Sequence, residues 1–131
     1  ALVRLFSTIL KKEGEDYFLV TPVEKVRIQV EDVPFLAVSM TTEGDGESSR
    51  LFFRTLTGDI VPLNAEHPLR VETDPVSGEP RPYIHVRGGM DARIHRPVFY
   101  DLVARGHEKV IEGETHLVLE SAGATFSMGR L

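Results

Sequence analysis

The stretch YIHVRGGMDARIH, residues 83–95, alternates apolar residues with side chains that could bind an anion. A three-residue loop of Gly88, Gly89 and Met90 predicts a β-hairpin in which Arg87 faces Asp91. One face of this hairpin would be apolar and consist of Ile84, Val86, Ala92 and Ile94. The other would carry groups that stack on rings or bind anions, namely Tyr83, His85, Arg87, Asp91, Arg93 and His95. The alternative is an ordinary exposed sheet face with an Arg87–Asp91 ion pair.

A second group of polar residues lies beside prolines or at the ends of predicted strands. It comprises Thr21, Glu24, Lys25, Arg54, Thr55, His67 and Arg70. Such positions often line clefts, although the turns of hairpins explain them equally well. Residues 50–105 also contain eight arginines, seven acidic residues and no lysine. Because the guanidinium fork matches phosphate and carboxylate oxygens in pairs, this bias would suit an anion-binding cleft, and an ordinary mixed surface is the alternative.

The residues that several catalytic and metal-binding chemistries need are missing. The sequence has no cysteine, which excludes disulfides, thiolate zinc sites and cysteine nucleophiles. His107 and Glu108 begin like a zinc-binding helix motif, but Ile111 stands where the second histidine is required. There is no nucleophile elbow and no glycine-rich phosphate loop. The sequence therefore predicts no cofactor and no metal, and it favours a protein that is not an enzyme.

Charge and hydropathy narrow the range of partners. The net charge of −5 is spread over acids and bases in both halves, which argues against a nucleic-acid polymer as partner. No apolar run approaches the roughly 20 residues that cross a bilayer, so we expect no membrane insertion and a cytoplasmic location. Since the sequence begins without Met, we also expect an upstream segment in the whole protein.

Hydrophobic periodicity predicts an α+β fold with mainly antiparallel sheets. An amphipathic helix is expected from Ala1 to a stop at Gly14, and a second one from Pro97 to a stop at Gly106. About eight or nine strands surround them. Both helices precede an acidic turn and a strand, which suggests an internal duplication, although chance similarity is as good an explanation. We divide the chain into an N-terminal lobe of residues 1–66 and a C-terminal lobe of residues 67–131, each holding one copy of the repeat.

Several stretches of the sequence resemble the bacterial family catalogued as domain of unknown function 1285 (DUF1285). They are LVRLFS, YFLVTPVEKVRIQVEDVPF, FRT, EHPLRVET, RPYIHVR and RPVFYDLV, between residues 1 and 103. The order of polar residues in TPVEKV, followed by VED and PF, is the most specific part. The resemblance implies a duplicated α+β protein whose C-terminal part is superficially like a pleckstrin-homology fold. It also implies a ligand site between its parts, a nucleotide-like ligand and a role in bacterial signal transduction.

The family motifs place this site on twelve residues. They are Thr21, Pro22, Glu24, Lys25, Arg54, Thr55, His67, Arg70, Tyr83, Arg87, Arg96 and Tyr100. The leading hypothesis is a non-enzymatic regulatory protein that binds a nucleotide-like small molecule, with arginines on the phosphates and a tyrosine on the base. The alternative is a protein–protein interaction module that docks a signalling partner without a small-molecule ligand.

Overall fold

Strands dominate the fold of this protein. The computed structural model describes residues 8–22, 25–28, 30, 32–44 and 48–131. The strands are β1 (Leu10–Glu13), β2 (Asp16–Val20), β3 (Lys25–Ile28), β4 (Phe35–Glu43), β5 (Arg50–Thr55), β6 (Ile60–Pro62), β7 (Leu69–Thr73), β8 (Pro80–Arg87), β9 (Met90–Ile94), β10 (His107–Ile111), β11 (Glu114–Ser121) and β12 (Ala124–Arg130). A helix, α1 (Arg96–Arg105), connects β9 to β10.

The strands form three sheets. Six of them make a central sheet in the order β6-β5-β4-β9-β8-β7, and the chain-order triplets β1-β2-β3 and β10-β11-β12 make two smaller antiparallel sheets. In the central sheet β4 runs parallel to β9, with Phe35 opposite Ala92 and Ala37 opposite Ile94. Strands from both sides of residue 66 therefore share one sheet.

The core lies where the apolar face of the central sheet meets α1 and the C-terminal sheet. Alternation along β8 and β9 buries Ile84, Val86, Ala92 and Ile94, as the sequence predicts. Leu102 of α1 and, from the last two strands, Leu119, Phe126 and Met128 complete the same cluster. From the N-terminal sheet, Leu10 is buried in it.

The prediction of an α+β fold with two helices is wrong, because the described residues are mostly strand and contain one complete, short helix. Thr8 and Ile9 are helical, but Leu10–Glu13 is a strand that pairs with β2 through Gly14 and Glu15. A strand prevails there because Leu10 enters the core while Lys11, Lys12 and Glu13 stay more exposed. Residues 1–7 of the predicted helix lie outside the described residues. The helix predicted from Pro97 to Gly106 is confirmed, with Pro97 in its first turn and Gly106 as its C-cap.

The predicted register of the β8–β9 hairpin is also wrong. Gly88 and Gly89 alone make the turn, and both have positive φ, at 54° and 74°. A two-residue turn would mix polar and apolar residues on each face, but a shift in register between His85 and Arg87 restores the alternation. Tyr83 consequently faces Arg93, and His85 faces Asp91.

Candidate ligand-binding site

A groove of about 340 Å³ opens where the first turn of α1 meets the central sheet. Its volume lies within the range of small-molecule sites. It is lined by Leu36, Glu79, Pro80, Pro82, Arg93, Ile94, His95, Arg96, Phe99 and Tyr100. The groove thus brings cationic, aromatic and apolar side chains together at the start of a helix.

Local sequence explains why these residues meet. Ile94 ends β9 in the core, and Pro97 then starts the helix directly, so His95 and Arg96 are placed at its N-terminus. His95 occupies the N-cap without a side-chain hydrogen bond to the helix, and no acidic residue lies in the first turn. The helix start therefore presents positive potential to the groove.

Two of the predicted site residues lie in this groove. Arg96 forms an exposed ion pair with Glu79, with 3.3 Å between Nη2 and Oε2. Tyr100 is 62% exposed, so its ring is available as a stacking surface. A phosphate could displace Glu79 from Arg96 at little cost, because exposed ion pairs contribute at most about 1 kcal/mol.

A second cavity of about 330 Å³ shares Leu36 and Arg93 with the groove. Its remaining lining residues are Asp32, Val33, Pro34, Phe35, Leu56 and Thr57. The chain segment that leads from β3 into β4 therefore forms one wall of this cavity.

A row of three side chains crosses β7, β8 and β9 on the face of the central sheet opposite its apolar face. The row consists of Arg70, Tyr83 and Arg93. The guanidinium carbons of Arg70 and Arg93 lie 4.4 and 5.8 Å from the centre of the Tyr83 ring. Tyr83 is buried, and its hydroxyl donates to both carboxylate oxygens of Asp32, at 2.9 and 3.1 Å. Burial raises the pKa of Tyr83 above its ordinary value, and the bond to Asp32 adds to the effect. Tyr83 is therefore a packed, neutral part of the sheet.

Histidines and Asp91 extend this row toward the hairpin turn. Asp91 accepts hydrogen bonds from Arg70 and from His85 Nδ1, the latter at 3.1 Å. His67 lies against the His85 ring, with 6.2 Å between centroids, and its Nδ1 is 3.0 Å from the carbonyl oxygen of His85. The expected Arg87–Asp91 pair is replaced, because Asp91 bonds Arg70 and His85 while Arg87 donates to the carbonyl of Leu10 at 3.4 Å.

The other predicted site residues lie elsewhere. Thr55 is fully buried, and its hydroxyl lies within 3.3 Å of Thr57, the Asp59 amide and the Asp59 carboxylate, so it closes a turn. Arg54 is exposed on β5. Thr21 and Pro22 follow β2, and Lys25 pairs with Glu13 on the N-terminal sheet. Glu24 lies outside the described residues.

Sequence reasoning missed the apolar wall of the groove. Leu36, Pro80, Pro82 and Phe99 line it, yet none was a candidate. The signal was the motif His95-Arg96-Pro97, which ends a strand and starts a helix, because the start of β8, with Pro80 and Pro82, lies beside the end of its antiparallel partner β9. Among the described residues, no group of His, Asp or Glu side chains could hold a metal ion. No helix in the described part of the chain is long and apolar enough to cross a membrane.

Comparison with known proteins identifies a family that has no assigned activity. The family model described as the C-terminal domain of DUF1285, a protein of unknown function, matches residues 34–128, and its N-terminal counterpart matches residues 1–33. No protein of curated function matches.

Two solved structures are similar. A DUF1285 family protein from Silicibacter pomeroyi DSS-3 is 44% identical over 95% of this chain, with a TM-score of 0.83. The match covers 66% of that protein, so the present chain spans just under two thirds of its length. A DUF1285 family protein from Shewanella baltica OS155 is 30% identical over 79% of this chain and 75% of its own, with a TM-score of 0.59.

Proposed function

Because the chain belongs to the DUF1285 family, whose name carries no activity, we propose a function from its groove: it binds a nucleotide-like ligand without turnover and acts as a regulatory protein in bacterial signal transduction. The observation that carries the proposal is the convergence of Arg96, His95 and Tyr100 in one groove of about 340 Å³ at a helix start. In this proposal the protein works in the cytoplasm.

Each part of the groove suits one part of a nucleotide. Arg96 and the N-terminus of α1 would hold phosphate oxygens, because a guanidinium and helix amides both bind anions. Tyr100 would stack on the base, and base–aromatic stacking contributes about 1–3 kcal/mol. Pro80 and Pro82 would form an apolar wall. Leu36 comes from the predicted first lobe and the other lining residues from the second, which supports the proposed ligand site between the two.

A thermal-shift screen against mono-, di- and cyclic nucleotides tests the proposal. A ligand at 100 times its dissociation constant adds about 2.7 kcal/mol to the free energy of unfolding, which raises the Tm of a domain of this size by several degrees. Arg96→Ala and Tyr100→Ala should each weaken binding about tenfold. Arg105→Ala and Val103→Ala, on the same helix but outside the groove lining, are the matched controls. Equal affinity in all four variants would show that the groove is not the nucleotide-binding site.

A protein-interaction module is the second candidate, and the outer surface of α1 favours it. Tyr100 is 62% exposed and Val103 is 38% exposed, one helical turn apart. A partner that docks there would be lost in Val103→Arg, whereas nucleotide binding would persist. Co-purification with the Val103→Arg variant therefore separates the two functions.

The internal duplication also belongs to the proposal. The triplets β1-β2-β3 and β10-β11-β12 have the same strand order, both follow helical residues, and the first turn of each consists of one glycine and one glutamate, Gly14-Glu15 and Glu112-Gly113. A crystal structure of a longer chain would test this idea. A hairpin like β8–β9 before the first copy would support duplication, and any other element there would contradict it.

A further inference from the structure

Asp32 ties the segment that follows the N-terminal sheet to the central sheet. It lies on the segment between β3 and β4, with a positive φ of 57°. Asp tolerates this left-handed conformation better than most residues, but it still carries some strain. Its carboxylate accepts the Tyr83 hydroxyl at 2.9 and 3.1 Å and pairs with Arg93 Nη1 at 3.3 Å. The two family models meet next to it, between residues 33 and 34.

In the described part of the chain, Arg87 and Lys12 also make polar contacts between these sheets, near the β8–β9 turn. Arg87 donates to the carbonyl of Leu10, and Lys12 Nζ lies 3.4 Å from the carbonyl of Gly89. Both are long hydrogen bonds. Tyr83 lies four residues before Arg87 on β8, away from the turn, so the Asp32 contact lies at a different place along β8 from the two contacts of β1.

Arg93 connects this contact with the groove. It lines both cavities, and its ion pair with Asp32 is only partly exposed, at 38% and 40% of the two side chains. An anion that binds the Arg93 guanidinium opposes the Asp32 carboxylate, since two negative charges then share one cation and repel each other. Occupancy of the groove would thereby weaken the attachment of the N-terminal sheet.

We propose that the Asp32–Arg93 contact couples anion binding in the groove to loosening of the β1–β3 sheet. This inference rests on the proposed function, because it requires an anion at Arg93. Coupling is reciprocal, so an anion that loosens the sheet must also bind more tightly once the contact is broken. Ligand binding would thereby be signalled by greater solvent exposure of the β1–β3 sheet.

Hydrogen exchange with inorganic pyrophosphate as the probe tests the coupling. In the wild type, pyrophosphate should slow exchange at the start of α1 and speed exchange in residues 10–28 about fivefold, the upper range for one exposed ion pair. Asp32→Asn keeps the left-handed backbone and an acceptor for Tyr83 but removes the charge opposite Arg93. It should speed exchange in β1–β3 without pyrophosphate and bind pyrophosphate about fivefold more tightly.

Two control variants separate the coupling from general destabilisation. Tyr83→Phe removes the other Asp32 contact but leaves the carboxylate charge opposite Arg93, so it should loosen β1–β3 and strengthen pyrophosphate binding less than Asp32→Asn does. Asp101→Asn breaks an exposed ion pair with Arg105 and should change neither quantity. If pyrophosphate protects the groove while β1–β3 exchange stays constant, the coupling is refuted and the groove proposal stands. If pyrophosphate leaves the groove unprotected, both proposals fall.

Discussion

At the scale of single residues, Ser121 connects parts of the chain that are far apart in sequence. Its side chain is buried, its hydroxyl donates to the carbonyl of Leu63 at 2.6 Å, and it accepts the amide of Leu51 at 2.9 Å. One hydroxyl of β11 thus satisfies two backbone groups, one on β5 and one directly after β6. Without it, both groups would be buried and unpaired.

Ser121→Ala should lower the free energy of unfolding by about 1–3 kcal/mol, because the Leu51 amide and the Leu63 carbonyl lose their partner in the core. Urea denaturation monitored by circular dichroism measures the change. Ser127→Ala is the matched control, since the Ser127 hydroxyl bonds His116 and the Gly129 amide where water can replace it. Equal midpoints for the two variants would show that the Ser121 contacts contribute nothing net.

The sequence predicts which types of residue form the candidate site better than it predicts where in the fold each of them lies. Arg96 and Tyr100 line the groove, whereas Thr55 closes the turn that ends at Asp59. The sequence TLTGD holds the signal for that turn, because Gly58 has a φ of 94° and the hydroxyls of Thr55 and Thr57 bond Asp59. Whether a polar residue at a strand end faces a cleft or its own turn depends on such local bonds, which strand periodicity alone does not reveal.

At the scale of elements, the alternation of apolar and polar residues predicts the apolar face of the β8–β9 hairpin but not the length of its loop. The apolar face of Ile84, Val86, Ala92 and Ile94 follows from side-chain period. The loop length does not, because a bulge shifts the pairing by one residue and keeps the faces intact. Helix α1 could be predicted at both ends from Pro97 and Gly106, whereas β1 could not, because Leu10 has a partner in the core that lies far away in sequence.

The turn between β7 and β8 should respond to acid. The Asp74 carboxylate accepts the amides of Ser77 and Val76 and pairs with Arg81, which lowers the pKa of Asp74 from 3.8 to about 2. A lowered pKa in the folded state means that this stabilisation is complete above the unfolded pKa of about 3.9 and is lost as the pH falls toward 2. Unfolding measured between pH 4 and 2 should therefore depend less on pH in Asp74→Asn than in the wild type.

A matched control for this turn is Ser77→Ala. It removes the hydroxyl, which accepts the Glu79 amide, but keeps the backbone N–H that bonds Asp74. It should retain the wild-type dependence on pH. The same loss of dependence in Ser77→Ala and Asp74→Asn would mean that the Asp74 carboxylate is not its source.

At the scale of the whole molecule, the parallel pairing of β4 with β9 decides the architecture. It places strands β4 to β6 beside β7 to β9, so the sheet spans the predicted boundary at residue 66. Local periodicity contains no information on this pairing, because the two strands are distant in sequence and either could have formed the edge of a separate sheet. The strands were therefore predictable in outline, while their order was not.

Fragments of the chain test this architecture. Residues 34–131 contain the complete central sheet, α1 and the C-terminal sheet, so we expect this fragment to unfold cooperatively, although with lower stability because Leu10 is missing from the core. Residues 67–131 keep β7, β8 and β9 but lack β4, the parallel partner of β9, together with β5 and β6, so this fragment should remain unfolded. Circular dichroism during thermal denaturation distinguishes the two. A folded 67–131 fragment would instead establish the predicted lobes as independent units.

The contacts of Ser121 also bear on how the protein emerges from the ribosome. The carbonyl of Leu63 is synthesised 58 residues before the hydroxyl that pairs with it. At about 5–20 residues per second, translation of that interval takes roughly 3–12 s. During that interval β7, β8 and β9 are also made, and the strands of the central sheet keep unpaired polar groups and uncovered apolar surface until β11 and β12 arrive. We therefore expect the growing chain to depend on holding chaperones until residue 121 has left the exit tunnel.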